Sequence, residues 1–311
     1  MKNDNDNLFD ADFLARLERL HLIAKRMSGG SLGGTRRSRR LGDGLEFADH
    51  RDYASGDDTR FIDWPYYARM EKLLIRLFHE HSESTVVVAL DCSGSMAPGG
   101  AMEKFNYARR TAAALTYVAM GALDRVTLVA FGGQAGSHDA FDAGRNRGRI
   151  MGVLDYLRAL TPGGTTDLAD SMESLSNLAG GAGGGAGTVL LISDLLDCPQ
   201  QLDESLGRLG VSDIAGRRDL AVIHLFSPQD AGVETPAKGP VIFQHAETQQ
   251  RISLWLTDEL LEAYRGKWAQ FQKRCGKICV SRGAAYVSAC TDIPFEKLIL
   301  TTLKRAGVLV P

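Results

Sequence analysis

From Thr85 onward, short apolar runs alternate with amphipathic stretches, and no other property of the chain limits its fold as strongly. The runs are TVVVALD, RVTLVAFG, HDAFDAG, TVLLISD, DLAVIHLF and AAYVSAC, and the periodicity between and after them predicts helices over 103–122, 147–159, 167–178, 199–208, 258–282 and 295–306. Strands that are apolar along their whole length are buried on both faces. The pattern therefore predicts an α/β fold, a six-stranded and mostly parallel sheet with helices on either side. The link from RVTLVAFG to HDAFDAG is too short for a helical crossover, which predicts an antiparallel third strand. A hairpin, PVIFQHAE with QRISLWLT, is inserted at about 240–257 ahead of the longest helix.

Upstream, Phe13, Leu17, Leu20 and Ile23 mark one face of a helix over 10–27, which ends at the joint SGGSLGG. Residues 35–84 are dense in charge and aromatics and read as short strands and turns, with KLLIRLFHEH alternating as a strand. The expected organisation is thus 1–34, helix and joint; 35–84, a small β extension; and 85–311, the α/β domain. GGAGGGAG at 180–187 leads into a strand and lacks the lysine of a phosphate loop, so it reads as a linker.

Composition removes several classes of function. Lys plus Arg number 36 against 38 Asp plus Glu, and a pI near 6.4 gives no global attraction to nucleic acid or to an anionic membrane. The start, MKNDNDNLFDADF, is acidic and lacks the order of a signal peptide. The most apolar helical stretch, Thr111 to Leu123, is shorter than the roughly 20 residues of a span, so a cytoplasmic protein is expected. Five cysteines suit a reducing compartment, and Cys275 and Cys279, with no second pair at zinc spacing, read as packed thiols. His79 and His81 lack a third ligand and read as a solvated or hydrogen-bonded pair, while His224 reads as a core histidine.

The candidate site is LDCSGSM, Leu90 to Met96, at the end of the first strand of the α/β domain. Ligands of open parallel sheets bind beyond the carboxyl ends of the strands, where strand order reverses. If TVLLISD lies beside TVVVALD, Asp91 and Asp194 face one crevice, and LTPGGTTDLADSM can add the hydroxyl of Thr165 or Thr166. With Ser93 and Ser95 this is an all-oxygen set, which suits a hard cation such as Mg²⁺ and leaves a coordination position open. The competing reading is a metal-dependent hydrolase. That chemistry needs a general base or a second metal about 4 Å away, and the three loops contain no histidine. Cys92 alternates with the polar positions and reads as packing, and Ser93 is outside any G-x-S-x-G elbow.

DCSGS resembles the D-x-S-x-S of the metal-ion-dependent adhesion site (MIDAS) of von Willebrand factor A domains, and GGTTDLADSM and ISD resemble that site's later threonine and aspartate. The resemblance implies a Rossmann-like vWA domain with Asp91, Ser93, Ser95, Thr166 and Asp194 as ligands of Mg²⁺ or Mn²⁺. RRSRRLGDGLEFADHRDYASGDDTRFIDWPYYAR is similar to the hallmark of the bacterial family called domain of unknown function 58. Members of that family resemble partners of MoxR-type AAA+ ATPases. The implied function is a non-catalytic adaptor in client maturation, with a client's acidic residue meeting the metal. Arg36, Arg37, Arg39 and Arg40 would face a partner's acidic patch, with Trp64, Tyr66 and Tyr67 as anchors. Arg51, Arg60 and Arg69 interleave with Glu46, Asp57, Asp58 and Asp63 and read as an ion-pair brace.

Overall fold

The computed structural model describes residues 8–27, 41–42, 46–54, 56–79, 85–98, 101–133, 139–165, 168–180, 187–196, 199–208, 219–234 and 238–305. Two compact units form, one from Met1–Leu32 with Thr85–Pro311 and one from Gly33–Ser84.

The first helix, α1 (Ala11–Met27), starts where Asp10 Oδ1 accepts a hydrogen bond from the Phe13 amide at 2.8 Å. Of its predicted apolar face, Phe13, Leu17 and Leu20 are buried and join the core of the larger unit together with Ala24, whereas Ile23 is only half-buried.

In the smaller unit β1 (Leu41–Gly42), β2 (Glu46–Asp52) and β3 (Leu74–His79) form an antiparallel sheet in the order β1-β3-β2. Where the sequence suggests only strands and turns, Trp64–Met70 forms a helix, α2. Its start is a local device: Asp63 Oδ1 caps the Tyr66 amide at 2.9 Å and Pro65 occupies the first turn. Arg51 and Arg60 pair with acids of this unit, while Arg69 donates to the Pro65 carbonyl. Arg51 grips Asp57 through two bonds of 2.6 and 2.5 Å, Arg60 chelates Asp58, and His50 meets Asp63 at 2.9 Å.

The larger unit continues with β4 (Thr85–Asp91), α3 (Glu103–Gly121), β5 (Arg125–Phe131), β6 (Asp139–Gly144), α4 (Ile150–Ala159), α5 (Leu168–Gly180), β7 (Gly187–Ser193) and α6 (Pro199–Arg208). It closes with β8 (Asp219–Phe226), β9 (Gly239–Gln244), β10 (Arg251–Leu256), α7 (Asp258–Ser281), β11 (Ala285–Cys290) and α8 (Phe295–Arg305). The main sheet has the order β11-β8-β7-β4-β5-β6, all neighbours parallel except β5 with β6. Alternation along the strands divides the core. Val86, Val88 and Leu90 of β4 face α1, α3, α4 and α8, whereas Val87 and Ala89 face α5, α6 and α7. Cys275 and Cys279 are packed in the second layer, and burial pushes their thiols up to about 11 and about 12. The β9–β10 hairpin forms a separate two-stranded ribbon.

The chain leaves β4 toward β5 and β6, then returns to β4's other side through β7, β8 and β11. Strand order therefore reverses between β4 and β7, and the crevice lies at their carboxyl ends. Parallel pairing of Leu90 with Ile192 sets Asp91 and Asp194 there.

Candidate functional site

The loop after β4 is tied down on both sides. The Cys92 amide donates to Phe131 O at 2.8 Å, the Gly163 amide to Cys92 O at 2.9 Å, and the Gly94 amide to Gly164 O at 3.1 Å. The last two bonds join the glycine turn before α5 to the D-x-S-x-S loop. Thr166, the hydroxyl expected from that turn, lies outside the described residues.

Asp91, Ser93, Ser95 and Asp194 are all buried and form one hydrogen-bonded cluster. Asp91 accepts from the Ser93 amide (2.9 Å) and from the Ser193 hydroxyl (2.6 Å). The Ser93 and Ser95 hydroxyls are 2.9 Å apart, and Ser95 Oγ donates to Asp194 Oδ1 at 3.2 Å. Burial raises the Asp91 carboxyl well above the usual carboxylate range and the Asp194 charge raises it further, against the hydrogen bonds from Ser193 and Ser93. Cys92 points into the apolar layer, where burial pushes its thiol up to about 12.

Two residues not anticipated from the sequence, Lys104 and Asp230, bond into the cluster, and a third, Glu247, carries charge near it. Lys104, in the first turn of α3, donates from Nζ to Asp194 Oδ2 at 2.8 Å and to Asp230 Oδ2 at 3.1 Å, with its side chain 3% exposed. Burial lowers the Lys104 pKa, but the charges of Asp194 and Asp230 outweigh it and the net shift is upward. Asp230 follows β8, where its Oδ2 also accepts from the Ser227 amide at 2.8 Å. Glu247, in the turn of the hairpin, is half-buried, and its carboxyl is raised by burial and then by the charges of Asp91 and Asp194. Readable signals existed for two of them. Lys104 lies on the helix face that buries Ala108, Thr111 and Leu115, and Asp230 sits just beyond a strand's carboxyl end.

The oxygens fit a hard divalent cation: two carboxylates and two hydroxyls converge, and hard cations choose such donors. Among the described residues the carboxylates of Asp194 and Asp230 are already bonded by the Lys104 ammonium, and no three His, Cys, Asp or Glu side chains are placed to hold a metal ion together, so the donor set is two carboxylates with the two hydroxyls.

The remaining sequence candidates are elsewhere. Arg36, Arg37, Arg39 and Arg40 lie outside the described residues, as do the side chains of His79 and His81. Trp64 and Tyr67 are exposed on α2 in the smaller unit, whereas Tyr66 is half-buried with its ring 5.8 Å from that of His50. His224 is buried, with Nδ1 2.6 Å from the Tyr286 hydroxyl.

The sheet order, with helices on both faces and one antiparallel edge strand, gives a doubly wound α/β fold of the von Willebrand factor A-like kind. The chain belongs to the family described as protein of unknown function DUF58, which matches residues 49–274. An uncharacterized protein of Mycobacterium tuberculosis is 28% identical over 241 residues, covering 77% of this chain and 72% of that protein. Among solved structures, an aerotolerance-related membrane protein from Bacteroides fragilis matches with a TM-score of 0.46 and 15% identity, over 72% of this chain and 99% of that one. A von Willebrand factor type A protein from Catenulispora acidiphila matches with a TM-score of 0.41 and 14% identity, over 74% of this chain and 43% of that one. No helix among the described residues is long and apolar enough to cross a membrane.

Proposed function

We propose that this chain is a divalent-cation-dependent protein-interaction module that captures an acidic residue of a client and works in the cytoplasm beside a MoxR-type AAA+ ATPase. The convergence of Asp91, Ser93, Ser95 and Asp194 at the sheet's switch point carries the reading. With Thr166 these residues would hold Mg²⁺ or Mn²⁺. When bound, the ion supplies a Lewis-acidic position to which a carboxylate from another protein can bind. Asp91 and Asp194 provide the charge, the serines orient by bonding each other, and Ser193 fixes the Asp91 carboxylate. The ATPase partnership rests on the resemblance of the segment from Arg36 to Arg69 to that family's hallmark. No chemistry is assigned to the site, because Cys92 is a buried thiol shifted to about 12 and the serine hydroxyls bond within the cluster.

Affinity purification of the full chain with Mg²⁺, and again with EDTA, tests the function. An AAA+ ATPase retained only with Mg²⁺ is the expected result; capture indifferent to EDTA removes the cation from the function. Calorimetry tests the site itself: Asp91→Ala abolishes Mg²⁺ uptake while circular dichroism is unchanged, and undiminished affinity in that variant refutes the assignment.

A further inference from the structure

The ribbon of β9 and β10 and the start of α7 border a cleft of about 710 Å³, a volume within the range of ligand sites. Phe243 of β9 and Leu254 and Leu256 of β10 share one face of the ribbon, because the register sets Phe243 opposite Ile252. That face meets Leu260 and Tyr264 of α7 across the cleft, and the loop after β8 closes the third side with Glu234. The walls are held in place. The Tyr264 hydroxyl donates to Asp230 O at 2.6 Å and Arg265 Nε to Gly232 O at 2.8 Å, so the loop is bonded to α7. Gly232 has φ +67°, and a Cβ there would lie 3.0 Å from Tyr264 Cδ1, which only glycine avoids. The hairpin turn is closed by the His245 amide to Gln250 O (2.8 Å) and the Gln249 amide to His245 O (3.0 Å). It rests on Gly94, where a Cβ would lie 3.1 Å from Ala246 O and 3.2 Å from Gly164 O.

Two observations indicate what enters. Among the described residues β9 and β10 pair only with each other, so each has an unpaired edge. Pro240 deprives β9 of an amide donor, whereas every residue of β10 from Arg251 to Leu256 has both a donor and an acceptor. Charge is the second observation. Glu234 is exposed and has no ion pair among the described residues, and the same is true of Glu259 and Glu262, which flank Leu260 and Leu261 in sequence. The nearby cations are engaged: Lys238 bonds Asp258 at 2.7 Å and Arg265 bonds the Gly232 carbonyl.

We propose that the free edge of β10 and the adjoining cleft form a second docking site, which takes an extended segment of a partner protein as a third strand, with alternate apolar side chains in the cleft and a basic residue beside Glu234. An added strand gains affinity from main-chain bonds, and the cleft reads every second side chain. It also completes a ribbon that is marginal with two strands. The site makes no use of the cation and goes beyond the reading above.

The probe is a capped octapeptide, leucine alternating with threonine between a lysine at each end, titrated calorimetrically into the full chain in EDTA. Wild type should bind it, and bind the version with glutamate at each end about 5-fold more weakly, an order that Glu234→Lys reverses. Leu260→Ala should lower affinity about 5- to 10-fold; Leu260 is 40% exposed, so its fold is not at stake. N-methylation of one alternate set of peptide amides should abolish binding and of the other set leave it, because an added strand pairs along one edge. No binding by wild type, undiminished affinity in Leu260→Ala, or binding that survives both methylation patterns overturns the strand site. So does n-octylamine that binds as tightly as the peptide, which would make the cleft a site for a small amphiphile. An unchanged preference in Glu234→Lys overturns the place given to the basic residue.

Discussion

Replacing Lys104 with methionine keeps most of the side chain's apolar volume and removes only its charge. The ammonium bridges Asp194 and Asp230 at 2.8 and 3.1 Å, and Lys104 and Asp194 are each 3% exposed. Removing one member of a buried pair leaves the other charge uncompensated, at a cost of about 3–5 kcal/mol. That is a large part of the roughly 5–15 kcal/mol by which a domain is stable. In EDTA the variant should therefore unfold at a much lower urea midpoint than wild type. Mg²⁺ at a hundred times its dissociation constant adds about 2.7 kcal/mol by linkage. It should add more to the variant, where the ammonium no longer competes for Asp194. The pH dependence has a definite sign: the Lys104 pKa is raised on folding, so its contribution is complete below the ordinary lysine value and fades as pH climbs through the folded one. The gap between wild type and Lys104→Met should stay constant from neutral to mildly alkaline pH and shrink in strong alkali. Equal midpoints in EDTA, or equal Mg²⁺ increments in the two proteins, would refute a buried bridge coupled to the cation site.

Gly94→Ala places a methyl 3.1 and 3.2 Å from two backbone oxygens that have little freedom to move, and is expected to cost about 1–3 kcal/mol. Hydrogen exchange should show the amides of Glu247 and Thr248 losing protection; unchanged exchange there would mean that the turn does not rest on Gly94. His224 is pulled down to about 4 by burial, with the nearby Lys104 charge acting the same way. A folded pKa below the unfolded one means stability present near pH 7 and lost between the ordinary histidine value and about 4. The loss amounts to about 3 kcal/mol, and His224→Gln should flatten that part of the stability curve in urea titrations at stepped pH. An unchanged slope assigns the acid sensitivity to other groups.

The architecture was legible because burial on both faces leaves a mark that one sequence can carry. TVVVALD and TVLLISD are apolar from the residue after their opening threonine to the polar residues at their carboxyl ends, and in the fold every residue from Val86 to Asp91 is buried. The antiparallel third strand followed from the short connection alone, and the pairing of β5 with β6 has that sense. The helix at Trp64 was missed for a different reason. Its seven residues are too few to show a period, although Asp63 and Pro65 are the usual marks of a helix start. At the site, Asp91, Ser93, Ser95 and Asp194 were readable because they occur where strands end. Glu247 left no signal and Lys104 only its place on the inward helix face, since a glutamate in a turn and a lysine in a first helical turn are ordinary solvated residues by type.

Depth is what separates Lys104 and Glu247 from that ordinary reading, and strand order together with the landing place of the hairpin sets the depth. Even so, the helix face keeps a trace. Lys104 precedes Ala108, Thr111 and Leu115 on the side that packs inward, and a cation there has to meet an anion supplied by another element. Asp194 and Asp230 answer that need from the ends of adjacent strands, β7 and β8. The lysine also limits the site's strength. Any cation that binds Asp194 competes with an ammonium already bonded to it, so affinity for Mg²⁺ alone should be modest, and a carboxylate added by a client should tip the balance toward the metal.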